Sequence, residues 1–217
     1  MGALTELTPK PMLKVAGKNL IEHKLDVLPS NIDEVVIIVG YLGSEIQKYF
    51  GGVYKGKRLL YVVQEQARGT ADALWQAKDF LHDQFLVLNG DDLYAQADLI
   101  RCMVHQDGWY LLAKDVPEDY VGGIVEMGDD GSIVRITENT VNHVHGKAGM
   151  NVYLLDTRVF AAPLVPKAPG SSEFGLPQTV LAAAQQMHIP FRTEKADFWI
   201  QITSPEDLAR AQVLLSK

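Results

Sequence analysis

The chain has 217 residues, 47% of them hydrophobic, which excludes disorder and allows a buried core in one domain or one domain with a small appendage. With 20 Lys and Arg against 27 Asp and Glu the net charge is -7, which excludes a surface built to coat nucleic acid and leaves any anionic ligand to local groups. A single cysteine, Cys102, excludes an internal disulfide framework, and neither a secretion signal nor a run of roughly 18 apolar residues is present, so a cytoplasmic protein without a membrane partner is expected.

Near the start, Pro9-Lys10-Pro11 flanks a lysine with two prolines, which predicts an extended backbone at Lys10 and an ammonium aimed at one place. An aimed lysine suits a phosphate; the plainer alternative is a solvated loop lysine. Residues 18–28 place Leu20, Ile21, Leu25 and Leu28 on one helical stripe. Residues 35–39 form a continuous apolar run of the kind buried on both faces of a parallel sheet, and residues 59–63 make a weaker strand. The segment Gln64 to Thr70 then closes a strand and opens a helix over 71–81. There Gly69 permits close approach to the backbone, and Thr70 is placed to cap the helix. Both a bare helix cap and a ligand loop are open at this point.

A second buried run, 85–88, leads directly into Asn89-Gly90-Asp91-Asp92, setting carboxylates at the C-terminal end of a sheet strand, where α/β proteins gather ligands. Such oxygens suit a hard divalent cation, because magnesium takes one or two protein carboxylates and completes its shell with water and phosphate. The alternative is a turn that ends the strand. Cys102 is expected in the core. Beyond residue 109 come strand-like pieces at 109–114, 123–127 and 133–137, the last two joined by the turn Gly128-Asp129-Asp130-Gly131. His143 and His145 alternate in a loop but show no third ligand, and Trp75 and Trp199 are expected to pack rather than carry a cofactor. Further strands fall at 151–155 and 198–202, a surface loop at 163–172, and helices at 177–186 and 205–215. The last has Ser204 as cap, Pro205 in its first position, and Glu206 and Asp207 at its positive end.

The alternation of β-branched runs with amphipathic segments predicts an α/β fold with a mixed, mostly parallel sheet between layers of helices. No Gly-x-Gly-x-x-Gly, Gly-Lys-Ser/Thr or Gly-x-Ser-x-Gly segment is present, which removes the main supports of dehydrogenase, P-loop and α/β-hydrolase assignments.

Taken in order, Pro9-Lys10-Pro11, Gln64 with Gly69-Thr70, Gly90-Asp91, Gly123-Ile124-Val125-Glu126, Gly131 to Glu138, Asn151-Val152-Tyr153 and the segment 198–208 resemble the sugar-1-phosphate nucleotidyltransferases over nearly the whole chain. The resemblance implies a single domain over 1–217 with a Rossmann-like three-layer sandwich. It also implies transfer of a nucleotidyl group from a nucleoside triphosphate to a sugar 1-phosphate, with release of pyrophosphate and use of Mg2+. It assigns catalysis to Lys10 and Asp91, nucleotide binding to Gln64, Gly69 and Thr70, sugar binding to Gly123, Glu138 and Asn151, and the metal to Asp91 with Gln201. A non-catalytic nucleotide-sugar-binding relative is the alternative, and a metal-dependent glycosyltransferase, lacking its Asp-x-Asp spacing here, ranks below both.

Three departures accompany the resemblance. The family's first strand and glycine-rich phosphate loop have no counterpart in the sequence, Gln201 stands where many relatives carry Asp, and Glu138-Asn139-Thr140 replaces a common Glu-Lys-Pro. The first strand is interior in that family, so its neighbours are expected to show unpaired edges here. The expectation is a longer natural product, or rearranged, swapped or homo-oligomeric edges.

Overall fold

The computed structural model describes residues 5, 8–141 and 146–216. In chain order its strands and helices are β1 (Lys14–Val15), β2 (Lys18–Asn19), α1 (Leu20–Val27), β3 (Glu34–Val39), α2 (Gly43–Phe50), β4 (Val53–Tyr54), β5 (Lys57–Val63), α3 (Thr70–Gln76), β6 (Gln84–Leu88), β7 (Leu93–Tyr94), α4 (Gln96–Met103), β8 (Trp109–Val116), β9 (Val121–Met127), β10 (Ile133–Val141), β11 (Gly146–Asp156), α5 (Leu176–Met187), β12 (Phe191–Lys195), β13 (Trp199–Ile200) and α6 (Pro205–Leu215). They fall into two compact units. The first comprises residues 1–65, 89–100 and 198–217, and the second residues 66–88 and 101–197.

In the first unit, β3 and β5 pair in parallel from Glu34 opposite Arg58 to Val39 opposite Val63, and β4 adds to β5 antiparallel. Helix α1 starts at Asn19, whose side chain accepts from the Glu22 N–H while the Glu22 carboxylate accepts from the Asn19 N–H. That reciprocal cap fixes the entry of the helix at Leu20, two residues after the expected start at 18. The helix packs on the turn at Lys10–Met12, on β2 and on β7. A small core gathers Val15, Leu20, Leu93, Ile200, Ile202 and Ala211. The expected start of α6 is present, since Ser204 and Asp207 form a capping box.

The second unit is built on a six-stranded sheet in the order β10, β9, β11, β8, β12, with β6 also paired to β11. Its helix α5 buries Leu176, Val180, Ala183 and Ala184 in one apolar core with Trp109, Tyr153, Leu155 and Phe191. Trp75 packs edge-on against Phe160 with ring centroids 5.1 Å apart, as expected of a packing residue. Cys102 is fully buried, and burial pushes its thiol up to about 12.

Both of these sheets are mixed, and the parallel pairs among the described residues are β3 with β5 in the first unit and β12 with β8 in the second, fewer than the alternating pattern suggests. Among the described residues β3 pairs on one side only, and so does β6. The apolar residues Val35 to Ile38 are accordingly half-buried rather than buried.

Two local expectations are corrected. Lys10 is not extended: Pro9 is, but Lys10–Met12 forms a 3-10 turn closed by Met12 N–H to Pro9 O at 2.8 Å and Leu13 N–H to Lys10 O at 3.1 Å. The bias imposed by Pro11 is outweighed by those two bonds. Thr70 does not cap α3; Gly69 holds the cap position, Thr70 is the first helical residue, and the helix stops at Gln76 before a separate 3-10 turn at Lys78–Phe80. His143 and His145 lie outside the described residues.

Candidate active site

The 3-10 turn presents Lys10 so that its Nζ meets Asp91 Oδ2 at 2.6 Å, with both side chains partly open to solvent. Gly90 makes room for this, because a Cβ there would stand 3.3 Å from Pro11 Cγ. Asp91 and Lys10, separated by 81 positions in sequence, are therefore brought together as expected.

Asp92 turns inward and is 2% exposed. Its Oδ2 accepts from Trp199 Nε1 at 3.2 Å and from the Tyr94 hydroxyl at 3.3 Å. Burial, with the Asp91 charge added to it, pushes the Asp92 carboxyl up to about 6, against the pull of Trp199, Lys24 and Tyr94. Lys24 was missed in the sequence. It is 7% exposed on α1 among Leu20, Ile21 and Leu25, and its Nζ donates to Leu20 O at 3.3 Å. Burial lowers its ammonium to about 8, while Asp91 and then Asp92 pull it back up. The signal was a lysine four positions after Leu20, on the apolar stripe itself.

Gln64 extends the parallel pair, its N–H donating to Val39 O at 2.8 Å. Strand β13 pairs with β7 through Trp199 opposite Tyr94 and Ile200 opposite Leu93, and Gln201 follows it directly. Hard oxygen donors of this type suit a small divalent cation, which asks for few carboxylates and takes water and phosphate for the rest. Asp91 offers such an oxygen with part of its side chain open to solvent, while Asp92 is turned inward, and among the described residues no group of three or more His, Cys, Asp or Glu stands together as a metal site. A cavity of about 500 Å3 lies elsewhere in this unit, lined by Thr8, Pro9 and Met12 of the turn segment and by Glu45, Lys48 and Tyr49 of α2.

The remaining expected residues belong to the second unit. Gly69 has φ +94°, and a Cβ on it would fall 2.3 Å from Phe174 O. The loop is tied to the strap at residues 174–176 by Phe174 N–H to Arg68 O at 2.7 Å and Ala71 N–H to Phe174 O at 3.1 Å. The Thr70 hydroxyl accepts from Leu176 N–H at 3.0 Å, and the Arg68 guanidinium covers the Phe174 ring. Glu138 accepts from Gln178 Nε2 at 3.3 Å. Gly123 lies on the paired strand where the register shifts, between Ile124 opposite Thr137 and Gly122 opposite Thr140, and a Cβ on it would stand 3.7 Å from Thr137 O. Asn151 has φ +56°, and the register of β11 on β8 shifts between Gly149 and Tyr153. A non-glycine residue held left-handed at a bulge is the kind of strain that the surroundings must over-determine.

Comparison with known proteins gives the family and the fold. The model of the family described as "Nucleotidyl transferase" matches residues 2–217. The bifunctional protein GlmU of Methanococcus maripaludis is 28% identical over 216 residues, 96% of this chain and 49% of that protein. The mannose-1-phosphate guanylyltransferase catalytic subunit beta of Dictyostelium discoideum is 26% identical over 213 residues, 94% of this chain and 58% of that one. A provisionally assigned glucose-1-phosphate thymidylyltransferase from Bacillus anthracis, solved in complex with sucrose, superposes with a TM-score of 0.83 at 23% identity, covering 99% of this chain and 89% of that one. The chain spans about half the length of the GlmU proteins it matches. By the extent of the family match and the agreement of fold, this chain belongs to the nucleotidyl transferase family.

Proposed function

We propose that this chain transfers a nucleotidyl group from a nucleoside triphosphate to a sugar 1-phosphate and releases pyrophosphate. The observation that carries the reading is the Lys10–Asp91 pair at 2.6 Å beside the buried Asp92, in a chain of this family. The sugar-phosphate oxygen attacks the α-phosphorus, a new P–O bond forms, and the bond to pyrophosphate breaks with its electron pair leaving on the pyrophosphate oxygen. No protein nucleophile is needed, so the work is positioning and charge neutralisation. Lys10 neutralises phosphate oxygens, and Asp91 is its partner until phosphate arrives. Asp91, with Gln201, would hold Mg2+, which supplies charge stabilisation to the phosphates when bound. Gln64, Gly69 and Thr70 serve the nucleotide. Glu138, Gly123 and the strained Asn151 serve the sugar.

The test is pyrophosphate release from a panel of nucleoside triphosphates and sugar 1-phosphates. Turnover that requires Mg2+ and is lost in Asp91→Ala supports the proposal. Binding of nucleotide sugars without turnover across the panel would overturn it in favour of a non-catalytic relative, the reading that Gln201 in place of a carboxylate favours.

A further inference from the structure

An amide oxygen shut away from water without a donor costs stability, so a chain that keeps one has a use for the rest of the group. Gln178, in the first turn of α5, keeps one: its Oε1 is buried and meets no donor among the described residues. Methionine would fill the same space without that cost. The other end of the amide is engaged, since Nε2 donates to Glu138 Oε2 on β10 at 3.3 Å. A carboxylate only accepts, so the amide cannot turn over to relieve Oε1 without setting two oxygens face to face. Gly175 fits the same arrangement. Its φ of -87° and ψ of 131° suit any residue, yet a Cβ there would fall 1.8 Å from Gln178 Oε1, so this glycine clears space for the amide rather than serving the backbone.

The support beneath Gln178 is rigid. Leu176, Val180, Ala183 and Ala184 anchor α5 in the apolar core, and the Thr179 hydroxyl accepts from Val165 N–H at 3.0 Å. Phe174 and Leu176, just before it, are the residues bonded to the loop at 68–71. One stretch, residues 174–178, thus holds both the loop expected to serve the nucleotide and the carboxylate expected to serve the sugar.

We infer that Gln178 is a positioning residue for the sugar half of the site: its amide aims the Glu138 carboxylate through one oxygen without neutralising it, so that the carboxylate accepts from sugar hydroxyls. This deepens the proposed role of Glu138 and rests on it. A neutral amide suits the task better than Lys or Arg, which would cancel the charge that makes a carboxylate a strong acceptor. Because the same stretch clamps Gly69 and Thr70, Glu138 is also held in a set relation to the nucleotide loop.

The experiment compares wild type, Gln178→Met, Glu138→Ala and the double variant, each as the full chain. Glucose 1-phosphate and mannose 1-phosphate are the probes, each with the triphosphate that gives the fastest pyrophosphate release, and melting is followed by circular dichroism. Gln178→Met is expected to raise KM for the sugar 1-phosphate about tenfold, with KM for the triphosphate within about twofold and kcat within about threefold of wild type. Its melting temperature should be unchanged or higher, because the buried oxygen without a donor is gone. In the Glu138→Ala background the same change should move KM by no more than about twofold, since its effect passes through Glu138. A KM for sugar phosphate that does not move in Gln178→Met, or that rises as much without Glu138 as with it, would overturn the positioning role. So would a melting temperature lowered by about 5 °C or more with every kinetic constant impaired alike, which marks a purely structural residue. Glu138→Ala with an unaltered KM overturns the sugar role of Glu138 instead, and a wild type that releases no pyrophosphate with either probe overturns the transfer reading before any variant is made.

Discussion

In the first unit the chemistry-bearing groups are charged side chains, Lys10 against Asp91 at 2.6 Å, with Asp92 buried beside them on Trp199 and Tyr94. In the second unit the expected ligand loop is held by backbone: Gly69 lies flat on Phe174, with the Arg68 carbonyl accepting from the Phe174 N–H on one side and the Ala71 N–H donating to the Phe174 carbonyl on the other. The difference teaches what each unit tolerates. Coulomb energy changes slowly with distance, so a charge cluster forgives small changes of shape and not of charge. A close backbone contact behaves the other way, because repulsion rises steeply within a few tenths of an ångström.

The largest test of that contrast is a change of charge without shape. Asp91→Asn is expected to lower kcat/KM for pyrophosphate release at least about 10^3-fold, a loss of about 4 kcal/mol of transition-state stabilisation, with melting unchanged within a few degrees. A change of shape without charge belongs to the other unit. Gly69→Ala adds one methyl group at φ +94°, 2.3 Å from a carbonyl oxygen, and is expected to destabilise by about 3 kcal/mol, read from chemical denaturation. If the two results exchanged places, the contrast would fail. Next in size is Trp199→Phe, which removes one of the two donors to the buried Asp92 and is expected to destabilise by about 1–2 kcal/mol, read the same way.

The same contrast explains what the sequence revealed. Asp91 was legible because a continuous apolar run ends three residues before it, and Lys10 because two prolines restrict it, although the turn it adopts depends on hydrogen bonds that no propensity for proline describes. The cap at Ser204 was legible because its partner Asp207 is local. The clamp on Gly69 was not, since Phe174 lies more than a hundred residues away and nothing in a Gly-Thr pair names that partner. Helix α2 begins at Leu42 in a left-handed conformation with no side-chain cap, so its start carried no signal. Lys24 carried one in plain view, a charge on an apolar stripe, but its meaning required knowing that β7 and the Lys10 turn pack there.

The smallest expected effect sharpens the contrast within the first unit, where Asp26 shows what the same charges are worth nearer to water. Its carboxylate is contacted by Lys18, by Lys55 at 2.6 Å and by the Tyr54 hydroxyl at 3.0 Å. Burial alone would raise its pKa, but the hydrogen bonds from Lys18, Lys55 and Tyr54 outweigh that and hold it down to about 2. A carboxyl depressed below its ordinary 3.8 adds stability above that value and loses it as the pH falls toward 2, because the unfolded chain takes up the proton first. The two lysines are half exposed or more, so solvent screening holds the contribution to about 1 kcal/mol. Asp26→Asn is therefore expected to reduce stability at pH 7 by about that amount, and its denaturation midpoint should converge with that of wild type between pH 4 and pH 2. The same series in 1 M salt should shrink the difference, whereas the cost of Trp199→Phe should persist, since mobile ions do not reach the buried Asp92.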